Sequence, residues 1–183
     1  MARRKARRKR SPTEIIGFIA IGVFIVALIW LVVSPSPQTP VQTRTTHALA
    51  PDFTLTDVDG IPFRLSDQRG KVVVLEFMRT TCSACISEEP YLRQLRSRFG
   101  SNVVMVIVSV DPSGDTDSVL RNRRDQNLMG WIAIGDKAEV NGLYAVQATP
   151  TIFIIDKNGY VQYQHVGLTE SAVLISEVEN LTK

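Results

Sequence analysis

A run of 19 uncharged residues, IIGFIAIGVFIVALIWLVV from Ile15 to Val33, constrains this chain more than any other feature. At a helical rise of about 1.5 Å per residue it is roughly 28 Å long, close to the hydrocarbon thickness of a bilayer, and it predicts one transmembrane helix. Seven cations (Arg3, Arg4, Lys5, Arg7, Arg8, Lys9 and Arg10) stand before the run, and only Arg44 stands shortly beyond it. That asymmetry puts residues 1–14 in the cytoplasm and everything after residue 33 outside it, a single-pass anchor in the cell membrane. A cleaved signal peptide fits less well, because its apolar core is usually about 7–15 residues with a small-residue cleavage site close behind. Here the A-x-A triplet Ala48-Leu49-Ala50 lies well past the run and precedes Pro51, and no cysteine is nearby to accept lipid. A basic cluster directly before an apolar span sets topology and touches anionic lipid, so membrane lipid is the expected partner and nucleic acid is not.

With those seven cations set aside, 14 of the 21 basic residues remain against 18 acidic ones, so the formal charge of +3 hides a mildly acidic remainder. Ser34 to Thr46, SPSPQTPVQTRTT, holds three prolines and few large apolar residues. Such a composition predicts an extended, semi-rigid stalk, assigned to residues 34–49. Residues 50–183 are of a size to form one domain with its own core, and no internal repeat is visible.

The domain opens with two short alternating segments, FTLTD and IPFRLSD, around Val58-Asp59-Gly60, which predicts a β-hairpin. Lys71 to Phe77 is a β-branched run of the kind a strand buried on both faces shows. The cysteine segment follows and leads into a helix whose Leu92, Leu95 and Phe99 share one face. A second buried strand is expected from Asn102 to Val110, a polar helix from Thr116 to Gln126, and a third strand from Thr151 to Asp156. Asp156-Lys157-Asn158-Gly159 turns the chain back into YVQYQHV, and Glu170 to Leu181 closes with a helix. Strands alternating with helices define an α/β fold with a central mixed sheet flanked by helices.

Both cysteines lie in Thr80-Thr81-Cys82-Ser83-Ala84-Cys85, at the end of a buried strand and the start of a helix. Unpaired backbone N–H groups give a helix N-terminus partial positive charge, which favours thiolate over thiol. In this setting the first cysteine of a C-x-x-C pair has its pKa lowered, so Cys82 is the expected nucleophile and Cys85 the thiol that resolves a mixed disulfide on Cys82. A structural zinc site needs four ligands, and beyond the two cysteines only His47 and His165 are available, the first of them in the stalk. A purely structural disulfide is open too, although so short a loop removes little chain entropy. The redox reading is the favoured one, with no metal and no cofactor beyond a Cys82–Cys85 redox-active disulfide.

The residues ALAPDFTLTDVDGIPFRLSDQRGKVVVLEFMRTTCSACISEEPYLRQL resemble the start of membrane-anchored thioredoxin-like proteins of the TlpA/ResA type, in the redoxin and AhpC/TSA superfamily. Further landmarks are Gly70-Lys71, Glu88 and Pro90 after the cysteines, Ala148-Thr149-Pro150-Thr151, and Gly159. The resemblance implies a thioredoxin fold with an N-terminal β-hairpin extension, and a Pro90 that bends the helix. It also implies that Pro150 follows a cis peptide bond against the cysteine pair, and that the backbone at Thr149 pairs with an extended substrate. Glu76 falls where thioredoxin carries a buried acid that handles the proton of the second cysteine. A carboxyl within an apolar strand has its pKa raised by desolvation, which suits acid–base work near neutrality, whereas an edge-facing, solvated Glu76 would have no such part. Glu88, just inside the helix, either tunes the thiols or complements the helix dipole. Thr81 stands where the family usually has a Trp before the first cysteine, and Met78 and Arg79 are also departures, so the aromatic cover over the thiols is missing. His165 and Trp131 read as strand packing.

The resemblance implies a thiol–disulfide oxidoreductase that reduces protein disulfides outside the cytoplasm, including those of apocytochrome c, with electrons from a membrane thiol carrier of the CcdA/DsbD kind. The opposite direction, a disulfide-forming oxidant, is chemically open, because C-x-x-C proteins span roughly −270 to −120 mV. A peroxiredoxin-like peroxidase shares the Ala50-Pro51-Asp52-Phe53 opening, but its motif wants Thr three residues before the reactive cysteine, where Arg79 stands. A Sco-like copper-binding chaperone would use two cysteines and a histidine, with His165 as the third ligand, but has three residues between its cysteines rather than two.

Overall fold

The computed structural model describes residues 42–44, 47–128 and 130–183. The transmembrane helix expected over residues 15–33 and its flank 1–14 lie outside these residues. Among the described residues no helix is long and apolar enough to cross a membrane.

In chain order the described strands are β1 (Gln42–Arg44), β2 (Thr54–Thr56), β3 (Pro62–Arg64), β4 (Val72–Met78), β5 (Val103–Ser109), β6 (Ile132–Gly135), β7 (Thr151–Ile155) and β8 (Val161–Val166). Helix α1 (Ser83–Phe99) joins β4 to β5, α2 (Asp117–Asn127) joins β5 to β6, α3 (Val140–Leu143) lies between β6 and β7, and α4 (Ser171–Thr182) follows β8. One mixed sheet takes the order β1-β8-β7-β4-β5-β6, and β2 with β3 forms a separate two-stranded ribbon. β4 pairs in parallel with β5 and antiparallel with β7. All seven of its residues are buried, as a central strand with both faces covered requires.

Alternation along β4 divides the core. Val74 and Met78 face a cluster closed by Leu92 and Leu95 of α1, Leu120 of α2, and Leu174 and Val178 of α4. Val73, Leu75 and Phe77 face the other way, onto Phe53, Phe63 and Tyr144. The hairpin therefore seals the face that the long helices leave bare. Its turn is wider than a two-residue Asp-Gly loop: Asp57 Oδ1 accepts from the Asp59 and Ile61 amides at 2.9 and 2.8 Å, and Gly60 takes φ +81°. That left-handed φ favours glycine.

Pairing begins inside the segment read as a stalk. Gln42–Arg44 runs antiparallel to β8, Leu49 bridges Tyr160, and the Val161 amide donates to the Ala48 carbonyl at 2.8 Å. A polar Gln-Thr-Arg strand needs no apolar side chains for this, because the backbone edge of β8 offers the hydrogen bonds. Strand β6 and the four-residue α3 also went unread, both being too short to show a period. Trp131, expected to pack beside a strand, is buried immediately before β6. His165 is buried as well, but its Nε2 lies 2.6 Å from Glu177 Oε2 of α4, so it is a hydrogen-bonded group and more than packing.

Candidate active site at the start of helix α1

The site is assembled where β4 ends. After Met78 the chain makes one turn, in which the Cys82 amide donates to the Arg79 carbonyl at 3.1 Å, and α1 begins at Ser83. Cys82 is the N-cap, with its sulfur 3.2 Å from the Cys85 amide that it accepts from. A sulfur in that place meets the unpaired N–H groups of the first helical turn, the setting that stabilises a thiolate. Cys82 is half-buried, whereas Cys85, one turn further in, is buried. The two are joined as a disulfide, with Cα atoms 5.3 Å apart.

Facing the pair is the segment before β7. The Thr149–Pro150 peptide bond is cis, Pro150 is buried, and its carbonyl accepts from the Gly167 amide at 2.9 Å. The Thr149 carbonyl oxygen lies 3.4 Å from Cys82 Sγ. A depression of about 420 Å³ opens here, lined by Arg79, Thr81, Cys82, Ser83, Ala84 and Thr149. Thr81 is exposed at its rim, in the place where a Trp was missed. The structure thus brings Cys82, Cys85, Thr81, Thr149 and Pro150 into one locality.

A group of acids is buried where α1 covers β4. Glu76 sits on β4 between Val74 and Met78, on the face covered by α1, and is buried. Neither of its oxygens has a protein partner among the described residues. Burial, and then the charges of Glu88 and Glu89, hold its carboxyl well above the usual range, with Arg123 acting the other way. Glu88 is not a solvated helix-end charge: it is fully buried, and its Oε1 accepts from the Thr169 amide at 2.6 Å. Burial pushes it up to about 8, against the pull of that N–H bond. Glu89, 6% exposed, is paired with Arg123 of α2 at 2.5 Å.

Sequence reasoning named Glu76 and Glu88 but missed Glu89 and Arg123. Glu89 is four residues after Cys85, so helical spacing alone would have put it on the cysteine's side of α1. Arg123 had no comparable signal, since its approach depends on how α2 packs on α1. Pro90 lies within α1, which continues as one helix to Phe99 although the Ile86 carbonyl lacks its usual N–H donor there. The third ligand that a copper site would need, His165, faces Glu177. Among the described residues no group of three His, Cys, Asp or Glu side chains is placed to hold a metal ion.

A mixed sheet whose central strand ends in a helix-capping C-x-x-C pair, opposite a cis-proline segment, defines a thioredoxin-like protein of the thiol–disulfide oxidoreductase class. The chain belongs to the AhpC/TSA family, whose model matches residues 46–164. It is 36% identical over 119 residues to the thiol-disulfide oxidoreductase ResA of Bacillus thuringiensis (strain Al Hakam), a match covering 64% of this chain and 68% of that protein. It is 31% identical over 118 residues to the thioredoxin-like protein YneN of Bacillus subtilis (strain 168), covering 64% of this chain and 69% of that protein. Among solved structures, a candidate thiol:disulfide interchange protein DsbE from Chlorobium tepidum matches with a TM-score of 0.65 and 30% identity, over 75% of this chain and 97% of that one. The thioredoxin-like fold and the oxidoreductase class that the resemblance implied are both borne out.

Proposed function

We propose that this protein reduces disulfides of extracytoplasmic proteins through a Cys82/Cys85 dithiol–disulfide cycle, held at the membrane by residues 15–33. The supporting observation is the contrast between the two cysteines: Cys82 is half-buried at the helix N-cap beside the Thr149 carbonyl, and Cys85 is buried one turn further along the helix that carries Glu88. In the first step the Cys82 thiolate attacks one sulfur of the substrate disulfide, and the other sulfur leaves as a thiolate that takes up a proton. Cys85 then loses its proton and attacks Cys82 Sγ, so the second substrate sulfur leaves and takes up a proton in its turn. Two electrons pass to the substrate, and Cys82–Cys85 becomes a disulfide.

Glu76 is the acceptor of the Cys85 proton, and Glu88 tunes the same step. A carboxyl whose pKa burial raises holds a proton more readily than an ordinary surface glutamate, as a group that must take a proton and later return it requires. The oxidised pair is returned to the dithiol by a membrane thiol carrier of the CcdA/DsbD kind, and the substrates include the haem-site cysteines of apocytochrome c. The peroxidase reading gains nothing at the site, because the exposed Arg79 occupies the position of its threonine.

The test is reduction of insulin disulfides by the full chain with a small dithiol as donor. Wild type is expected to turn over, and Cys82→Ser to be inactive. Cys85→Ser is expected to accumulate a mixed disulfide visible by mass, and Glu76→Gln to slow the Cys85 step by about tenfold or more. Turnover by Cys82→Ser equal to wild type would refute the cycle.

A further inference from the structure

The turn that carries the nucleophile is held from outside itself. Arg79 and Thr81 are exposed, and within residues 79–82 the hydrogen bond that closes the turn runs from the Cys82 amide to the Arg79 carbonyl. Thr80, between them, is bound twice by one carboxyl group. Asp115 Oδ2 accepts from the Thr80 amide at 2.9 Å, and Asp115 Oδ1 accepts from the Thr80 hydroxyl. Asp115 Oδ2 also accepts from the Ser109 hydroxyl at 2.5 Å, and Ser109 is the residue paired with Met78, the last residue of β4.

The loop that supplies Asp115 is itself closed. Asp111 Oδ1 accepts from the Gly114 amide at 3.0 Å and from the Ser113 hydroxyl at 2.8 Å, and the Asp115 amide donates to the Asp111 carbonyl at 2.7 Å. Asp115 is 3% exposed. A carboxyl group so deeply buried is tolerated because three donors converge on it, and those donors fix its two oxygens in space.

We propose that Asp115 is a positioning residue for Cys82: by clamping Thr80 it sets the direction in which the sulfur leaves the turn, toward the Cys85 amide and the Thr149 carbonyl. This rests on the thiol–disulfide exchange proposed above and adds a residue 33 positions downstream of the nucleophile to it. The two sulfur contacts at stake are 3.2 and 3.4 Å long. They are lost if the turn rotates, and misplacing a reacting atom by about 1 Å costs roughly a hundredfold in rate.

Two substitutions at Asp115 and one at Thr80 test the proposal. Asp115→Ala removes all three acceptor contacts. Asp115→Asn keeps one oxygen for the Thr80 amide and the Ser109 hydroxyl, while its NH₂ donates to the Thr80 hydroxyl, which can turn to accept. Thr80→Val removes the hydroxyl and leaves the backbone bond. The readout is the rate of iodoacetamide alkylation of Cys82 in the reduced full chain across pH, with the melting temperature followed in parallel. Asp115→Ala is expected to slow alkylation by about tenfold to a hundredfold and to displace the pH profile, Asp115→Asn to restore both, and Thr80→Val to fall between. Wild-type rate and profile in Asp115→Ala would overturn the proposal, as would a failure of Asp115→Asn to rescue. If Asp115→Ala does not fold, an unchanged profile in Thr80→Val overturns it. Alkylation needs no turnover, so a protein inert toward insulin but sensitive at Asp115 would refute the proposed function and leave this inference standing.

Discussion

Cys82 and Cys85 are chemically identical side chains three positions apart, and their surroundings divide the work between them. Cys82 is half-buried at the N-cap and Cys85 is buried one turn further in, and in the proposed cycle the first attacks and the second resolves, with the acids Glu76 and Glu88 serving its proton. Those acids should also mark the stability of the fold. Glu88 is pushed up to about 8 in the folded state, and Glu76 moves the same way. A carboxyl raised on folding contributes stability that is complete below its unfolded pKa and is lost as pH rises through the folded one. For Glu88 the window runs from about 4.5 to about 8, with a slope of at most about 1.4 kcal/mol per pH unit. Denaturant unfolding of the oxidised protein should therefore show stability falling from pH 5 toward pH 8. Glu88→Gln, which keeps an acceptor for the Thr169 amide, should flatten that fall; an equally steep profile in the variant would remove Glu88 from the explanation. The cysteine pair was legible in the sequence as a local C-x-x-C motif, whereas Glu76 and the Thr149–Pro150 pair were singled out through the resemblance to a known family. Asp115 and Arg123 were not legible, because their partners lie 35 and 34 residues away and only the packing of the strand ends and helices brings them close.

At the scale of elements, the β-branched runs and the apolar faces of the helices were readable because burial on both faces, or along one stripe, imposes its own period on the sequence. The elements that escaped are those whose order comes from a neighbour. β6 has four residues and is defined by its parallel pairing with β5, and β1 is a polar tripeptide laid along β8. The second case has a measurable consequence. A chain beginning at Ala50 would lose β1, the Leu49–Tyr160 bridge and the bond from the Val161 amide to the Ala48 carbonyl. Compared with a chain beginning at Val41, it should be destabilised by roughly 1–3 kcal/mol in thermal or denaturant unfolding, since several backbone hydrogen bonds at a sheet edge each contribute about 0.5–1.5 kcal/mol. Equal stability of the two would show that the sheet effectively ends at β8.

Across the whole molecule, the hairpin, the mixed sheet and the helices serve one geometrical end. They bring the end of the central strand, the start of α1 and the cis-proline segment together at one edge, with Glu76 of β4 and Glu88 and Glu89 of α1 buried between strand and helix. The sheet order could not be read from the sequence, since it depends on β7 returning antiparallel beside β4 rather than at an outer edge. That placement sets Thr151 against Phe77 and so delivers Thr149 and Pro150 to the cysteines. The direction of electron flow is a property of the same assembly, because it depends on how well the surroundings stabilise the dithiol against the disulfide. The measurement that bears on it most directly is the reduction potential of the Cys82/Cys85 couple, obtained by equilibrating the full chain in graded dithiol/disulfide buffers and counting alkylated thiols. A value between about −270 and −220 mV is expected for a reductase recharged by a membrane thiol carrier, and one near −120 mV, or a pair that does not interconvert, would contradict it.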